Sequence, residues 1–517
     1  MTTENLRNIA DNLVVIIIAG LLVATSYLFQ SHLELSLADE GYLWYGAQRT
    51  LLGEVPIRDF MSYDPGRYYW SALFMNFWGD NGIIALRFGI ACFQFIGLAT
   101  ALFLLAPNTK LSIQTVAWLI IAGLVILLWM NPRHKIFDCS LSIILVASLA
   151  GMLKNLNHRS CLFGGIILGL VAFFGRNHGV YGLIGTILVF VWTSFGPQVK
   201  IKELLKFILI WLGGIFIGYS PMLFLILFTP DFLSSFIDSI KFLFEFGATN
   251  LPLPVPWPWK ASFELAMFPS ILVGLFFVVI LTFALLPVPL FIQRWRQKTP
   301  PISYKLLACA FMAGPYAHYA FSRADFSHLC QGIQPLLIAI MLILSYLVGV
   351  KKLAASLIIL LITLITTLPH QPISKCSGSK CQEINVLGDS IKVPIKTTAI
   401  ISLLSELERK HGSPTQPFMV APFWPGAYAI FNKKSPMLNI YPILPISAAT
   451  QSRETERLIS ANISFSVISD FPLDGRDSLR FQNTYPLIRD YLRANFVQVD
   501  SPIDKSLTIF VRKQINE

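Results

Sequence analysis

The stretch Leu35–Arg49, LSLADEGYLWYGAQR, follows the first long apolar run of the chain, Leu13–Phe29, almost at once. It sets two carboxylates, Asp39 and Glu40, side by side and surrounds them with Tyr42, Trp44 and Tyr45. The run before it reads as a membrane-crossing helix. A cleaved secretory signal would be followed by a small-residue cleavage site, whereas here further apolar runs follow. Two acids at the point where the first helix leaves the bilayer therefore open both the fold question and the chemical one.

Composition extends the reading to the whole chain. Of its 517 residues, 54% are hydrophobic and 13% charged, against about 25% charged in soluble domains. The mean hydropathy is +0.61. The fold class is therefore an α-helical polytopic membrane protein. A crossing needs about 20 apolar residues, and on that basis about eleven spans are predicted. They fall at 13–30, 83–105, 112–130, 137–153, 161–175, 179–195, 205–228, 264–291, 305–321, 330–349 and 353–369.

Charge gives the orientation. The net charge of +11 follows from the bias of cytoplasmic loops towards Lys and Arg, and no nucleic-acid-binding motif accompanies it. Arg7, Lys110, Lys154, Arg159, Lys200, Lys202, Lys206, Arg294, Arg296, Lys298, Lys305, Lys351 and Lys352 fall on one side. That side is expected to be the cytoplasm, with the N-terminus inside and the C-terminus outside. A bacterial inner membrane is the expected location. Asp39 and Glu40 then lie outside.

Three outer connections stand out. In the first, residues 31–82, Asp39 is expected to cap a helix from Glu40 to Leu52 ended by Gly53. A second stretch there, GRYYWSALFMNFWG, suits a helix lying in the interface plane. The second connection, 229–263, holds the stiff, proline-alternating NLPLPVPWPWK. The third is the short, charged HYAFSRADFSHLCQG. After Pro369 the long apolar runs stop, so the membrane part is placed at 1–369 and a small extracytoplasmic α/β domain at 370–517. KTTAIISLLSELERKHG reads there as an amphipathic helix, and QPFMVAP, ISFSVIS and SLTIFVRK as strands. Cys376 and Cys381 fit either a small disulfide loop or two free thiols.

The candidate chemistry lies on the outer side. Asp39 and Glu40 could be a helix cap and a first-turn acid, and Asp138 at the start of the fourth span could also be a cap. Facing one cavity, the three could act as base or hold a divalent cation. Arg176, His178, Arg323 and His328 fit loop charges singly and an anion site together, since a guanidinium pairs well with phosphate. Tyr42, Tyr63, Tyr68 and Trp257 fit an interfacial aromatic belt, or a surface that lines a sugar substrate. Asp470, Asp474 and Asp477 read as turn residues. Nucleotide-phosphate, dinucleotide and HExxH motifs are absent from the sequence, as is a zinc-type cysteine cluster.

The run DEGYLWYGAQRTLLGEVPIRDF, with YDPGRYYW after it, resembles the first-loop signature of the GT-C superfamily of polytopic glycosyltransferases. It is most similar to the branch holding protein O-mannosyltransferases and the lipid A aminoarabinose transferase. One proline of that signature is replaced, giving Asp64-Pro65-Gly66. The resemblance implies transfer of a sugar from a polyprenyl-phosphate donor to a lipid, glycan or protein acceptor on the outer face, with inversion. It implies Asp39 as the base, Glu40 assisting it, Asp138 as a second acid, and Arg176, Arg323 and His328 at the departing phosphate. It leaves open whether a divalent cation, held by Asp39, Glu40 and Asp138, takes part. Two other classes stand beside it: a transporter or flippase, and an inactive scaffold whose C-terminal domain binds cell-wall partners.

Overall fold

The computed structural model describes residues 3–107, 111–195, 200–246, 250–261, 264, 267–296 and 302–513. Lys110 and Lys298, two of the cations used for orientation, lie outside these residues, as does part of the 229–263 connection. The chain forms two compact units. One comprises Met1–Phe29, Ile90–Leu233 and Leu243–Ser374; the other comprises Gln30–Gly89, Ser234–Phe242 and Lys375–Glu517.

The first unit is a helical bundle, and the protein is a multi-pass membrane protein. Among the described residues five helices are long and apolar enough to cross a membrane, or seven if each of two bent pairs is one span. This is fewer than the eleven expected, and the reasons are local. The runs at 112–130 and 161–175 become helices Ile113–Trp129 and His158–Phe174, short for a crossing. The run at 205–228 breaks into Ile201–Gly218 and Ser220–Phe228 at an angle of 56°. Pro221 stands in the first turn of the second piece, where its missing N–H costs no hydrogen bond. Phe326–Gly332 and Gln334–Ser345 meet at 57°, again with a proline, Pro335, opening the second piece.

Small residues bring two of these helices together. Gly165 and Gly169 on His158–Phe174 face Gly214 and Gly218 on Ile201–Gly218. A Cβ on Gly165 would stand 2.9 Å from the Gly214 Cα, and one on Gly214 would stand 3.0 Å from the Gly165 Cα. Both helices carry glycines four residues apart, so backbone meets backbone where lipid supplies no hydrophobic drive for association. Elsewhere Trp129 is fully buried among Val125, Phe277, Ala320, Leu329 and Ile333, and its indole N–H donates to Thr363 Oγ1 at 3.2 Å.

The second unit joins the first connection, within Gln30–Gly89, to the C-terminal part. Its strands are β1 (Cys381–Val386), β2 (Asp389–Pro394), β3 (Met419–Ala421), β4 (Phe465–Ser469), β5 (Phe496–Asp500) and β6 (Leu507–Arg512). β1 and β2 form an antiparallel hairpin closed at its base by the Cys376–Cys381 disulfide. The other four form a sheet in the order β3-β4-β6-β5, with β3 parallel to β4 and the remaining pairs antiparallel. β4 is buried along its whole length. The three strands read from sequence are β3, β4 and β6, and the expected amphipathic helix is Ile395–His411.

The first-loop segment is built into this unit. Glu34 N–H donates to Lys392 O and Lys392 N–H to His32 O, both at 2.8 Å, extending the hairpin by one bridge. The helix Asp39–Leu51 crosses the short helix Pro425–Ile430 at Gly41 and Gly426, where a Cβ on Gly426 would meet the Gly41 Cα at 2.9 Å. Gln48 donates to Ala429 O at 3.2 Å, and Tyr45 Oη accepts from Ser435 N–H at 3.0 Å.

Gly165→Ala should lower the melting temperature of the detergent-solubilised protein, by an overpacking cost of about 1–3 kcal/mol. Gly213→Ala, whose new methyl meets nothing within 4 Å, should leave it unchanged or raise it slightly. Equal melting temperatures for the two variants would refute the close helix contact.

Candidate functional site

In the second unit the acidic pair separates into two environments. Ala38, not Asp39, holds the N-cap position, and Asp39 and Glu40 are the first two residues of the helix Asp39–Leu51. The expected cap is thus corrected. The Asp39 N–H donates to Ser36 Oγ at 3.2 Å, and both carboxylates sit in the first turn, where the helix dipole favours negative charge. Gly53, with φ of 93°, lies just past the end of this helix.

Glu40 is buried. Its two oxygens accept from Arg87 Nε at 2.9 Å and Arg87 Nη2 at 2.7 Å, and the pair is almost fully shielded from solvent. Arg87 also donates to the carbonyls of Ser31 and Glu34. One guanidinium thereby ties together the turn before the acidic helix, the helix itself and the first turns of Ile83–Leu105. Arg87 escaped the sequence reading, although a cation five residues into an otherwise apolar run was a visible signal.

Asp39 is exposed, and the Tyr441 hydroxyl donates to its Oδ1 at 3.5 Å. Tyr441 also lies against Tyr42, with ring centroids 5.9 Å apart, and Tyr42 meets Tyr63 edge-on at 5.0 Å. The Tyr42 hydroxyl donates to Met61 O at 2.9 Å. The Arg67 guanidinium lies 4.8 Å from the Tyr63 ring centre. Tyr441 was also missed, since nothing in the sequence links it to position 39. Tyr68 does not line a surface: it is fully buried under Phe60 and Gly46, and its hydroxyl accepts the Tyr63 N–H at 3.1 Å.

The first unit holds a second polar group. Asp138 lies in the first turn of Ile136–Lys154 and is not its cap. Its Oδ1 meets His178 Nε2 at 2.8 Å, and His178 Nδ1 meets the Tyr316 hydroxyl at 2.7 Å. All three side chains are buried. Both ring nitrogens of His178 are thus taken, so the expectation that it contacts a phosphate is corrected: its ring is held by protein groups. Arg323 and His328 converge on one acid. Arg323 Nε donates to Asp325 Oδ2 at 2.9 Å and Nη1 to Leu251 O at 2.9 Å, while His328 Nδ1 meets Asp325 Oδ1 at 2.9 Å. Burial works to raise the Asp325 pKa, but the bonds from His328 and the charge of Arg323 outweigh it and hold the carboxyl below its ordinary value. Trp257 stacks face to face on Trp259, with centroids 5.1 Å apart. Arg176 opens the helix Arg176–Ser194, two residues before His178.

The fit of a divalent cation to the named acids is poor. Among the described residues no three His, Cys, Asp or Glu side chains gather to hold a metal ion. Both Glu40 oxygens are engaged by Arg87, and Asp138 Oδ1 is engaged by His178.

Comparison with solved structures places this geometry on a known fold. ArnT from Cupriavidus metallidurans, bound to undecaprenyl phosphate, is similar with a TM-score of 0.56 and 10% identity, over 96% of this chain and 98% of that one. The archaeal oligosaccharyltransferase AglB from Archaeoglobus fulgidus, in complex with an inhibitory peptide and a dolichol-phosphate, is similar with a TM-score of 0.50 and 12% identity. That likeness covers 98% of this chain and 74% of AglB. The chain therefore has the GT-C fold, as its first-loop residues imply. No protein-family model and no characterised protein matches it by sequence.

Glu40→Ala should destabilise the protein by about 3–5 kcal/mol, because it leaves the Arg87 charge buried and unpaired. Thermal unfolding of Glu40→Ala, Arg87→Ala and the double variant measures the coupling. The double variant should lose clearly less than the sum of the single losses; strictly additive losses would mean the pair is not coupled.

Proposed function

We propose that the protein is a membrane glycosyltransferase that moves a sugar from a polyprenyl-phosphate donor to an acceptor on the extracytoplasmic face. The observation that carries this reading is the division of the acidic pair, on a chain with the fold of ArnT and AglB. Glu40 is neutralised and fixed by Arg87, while Asp39 stays exposed with a tyrosine hydroxyl beside it. An exposed carboxylate that can reach an acceptor's proton supports reading Asp39 as the general base.

In the reaction the acceptor's hydroxyl or amine attacks the anomeric carbon of the donor. The bond from that carbon to the phosphate oxygen breaks, polyprenyl phosphate leaves with the electron pair, and Asp39 takes the acceptor's proton. The sugar inverts. Positive charge that builds at the anomeric carbon is favoured by a nearby carboxylate. Arg176, Arg323 and His328 are the groups proposed to meet the departing phosphate, where negative charge builds up. Asp138, held by His178, is the second acid proposed in the first unit, with Trp257 a proposed substrate contact there; in the second unit Tyr42 and Tyr63 are the substrate contacts proposed beside Asp39. A hexose or a pentose fits this scheme, as does a lipid, glycan or protein acceptor.

The orientation belongs to the same proposal. An odd number of crossings, whether the five or seven described or the eleven read from sequence, puts the two ends on opposite sides; the Lys and Arg bias puts the N-terminus in the cytoplasm and residues 370–517 outside, in a bacterial inner membrane. The Cys376–Cys381 disulfide suits that placement, since disulfides persist in oxidising compartments. AglB, an oligosaccharyltransferase in complex with a dolichol-phosphate, and ArnT, bound to undecaprenyl phosphate, supply the analogy for the donor.

Purified protein given radiolabelled polyprenyl-phosphate monosaccharides and membrane extract should transfer label to an acceptor. Asp39→Asn should lower the rate about 10²–10⁴-fold with an unchanged melting temperature. Arg323→Gln should raise the donor KM more than it lowers kcat. Transfer by Asp39→Asn at the wild-type rate would overturn the assignment of the base.

A further inference from the structure

Apart from the acidic pair, the second unit contains a cleft of about 550 Å³ lined by none of the residues assigned to the proposed reaction. Three stretches that lie far apart in sequence build it. Arg58 and Asp59 come from the first-loop segment, residues 414–417 and 432–437 flank β3 and the short helix Pro425–Ile430, and Arg457 lies on the helix Ala448–Ala461.

Its lining is strongly basic, with Arg58, Lys433, Lys434 and Arg457 against the single carboxylate of Asp59. The four cations differ in what they can offer. Lys433 has a structural role: its ammonium is held by Glu408 Oε1 at 2.9 Å and by the carbonyls of Ser413 and Gln416. Arg58 lies along Asp59, with Nε to Oδ1 and Nη2 to Oδ2 both at 2.9 Å. Asp59 also accepts the Val55 N–H at 2.7 Å. Burial raises the Asp59 pKa less than the Arg58 and Val55 bonds lower it, so the carboxyl sits below its ordinary value and this pair stays charged. Lys434 and Arg457 are the outward pair. Their side chains are 60% and 52% exposed, and each reaches back to a shielded acid, Lys434 to Glu54 at 3.1 Å and Arg457 to Glu454 at 3.9 Å. Those acids do not line the cleft, so a ligand entering it meets the cations first.

The uncharged lining adds donors and acceptors without a partner. The side-chain amides of Gln416 and Asn432 make no hydrogen bond to other described residues, whereas the Thr415 hydroxyl is paired with Ser413 Oγ at 3.2 Å. Exposed cations bind any small anion weakly; cations beside unpaired amides, in a concave site of this size, suit an anion that carries hydroxyl groups as well.

We propose that this cleft binds a phosphate- or carboxylate-bearing saccharide, the acceptor class for the transfer proposed above. The acceptor role rests on the glycosyltransferase reading; the binding does not. Lys434 and Arg457 hold the anionic group, and Gln416 and Asn432 bond the sugar hydroxyls.

The test is direct binding to the full-length protein in detergent, by titration calorimetry. The probes are tri-galacturonate, glucose 6-phosphate, neutral maltotriose, inorganic phosphate and vesicles of phosphatidylglycerol. The anionic saccharides should bind, more weakly as salt rises, and at least about tenfold more weakly to Lys434→Gln/Arg457→Gln, which removes both charged donors. The double variant should keep the wild-type melting temperature, and Asp39→Asn should bind like wild type. Three results would overturn the proposal: no binding of either anionic saccharide, equal binding by the double variant, or binding of inorganic phosphate or the vesicles as tight as that of the saccharides. Saccharide binding that the double variant loses, in a protein that transfers no label, would keep the cleft and remove the transferase reading. Transfer by the double variant with an unchanged acceptor KM would keep the transferase reading and remove the cleft as the acceptor site.

Discussion

The buried pair of Arg87 and Glu40 is the constraint on which the candidate site depends. Removing two charges from water is costly, and the cost is offset only when geometry is good and the remaining donors are satisfied. Here the carboxylate accepts two bonds, at 2.9 and 2.7 Å, and the guanidinium spends other donors on the Ser31 and Glu34 carbonyls. The arrangement adds little net stability compared with a well-packed apolar one. Its value is in position: the turn before the acidic helix, the start of that helix and the start of Ile83–Leu105 converge on one planar group. A lysine in place of Arg87 would give a point charge without the planar fork that meets both Glu40 oxygens.

The membrane unit uses the same device with a histidine and a tyrosine around the acid. Asp138, His178 and Tyr316 come from three different helices and are joined by bonds of 2.8 and 2.7 Å. In a bundle whose outer surface is apolar, such a group sets which helix faces meet, because each polar atom has one place where it is satisfied. The facing glycines at 165 and 214 do the complementary work through shape. Close backbone approach there and polar fixing near Asp138 act on the same helix run, since His158–Phe174 ends just before Arg176–Ser194 begins.

The fold was legible from apolar run length, and its local breaks much less so. The proline that opens Ser220–Phe228 was present in the sequence, but a run of apolar residues on both sides hid the bend. Strands β3, β4 and β6 showed as short apolar, β-branched runs, whereas β1, β2 and β5 are polar and half-exposed and carried no such pattern. The acidic pair itself was legible because two adjacent acids beside a membrane run are rare. Its partners were not. Arg87 lies 47 residues from Glu40, and Tyr441 lies 402 residues from Asp39, so only the fold brings them together. His178 was visible as a candidate ligand, but nothing around it in the chain signalled that both its nitrogens are used inside the bundle.

Adjacent carboxylates on one helical turn raise an electrostatic problem that the structure resolves. Two free charges so close would repel. Binding one of them to a buried guanidinium cancels its charge locally without removing the residue. Asp39 is then a single negative charge at a helix N-terminus, where the dipole supports it, and the Tyr441 hydroxyl gives it direction. The pairing also explains why the two positions cannot exchange roles. Position 40 faces into the unit towards Arg87, and position 39, one residue earlier and about 100° around the helix, faces solvent. The helical period, more than the identity of the two acids, separates the exposed carboxylate from the buried one.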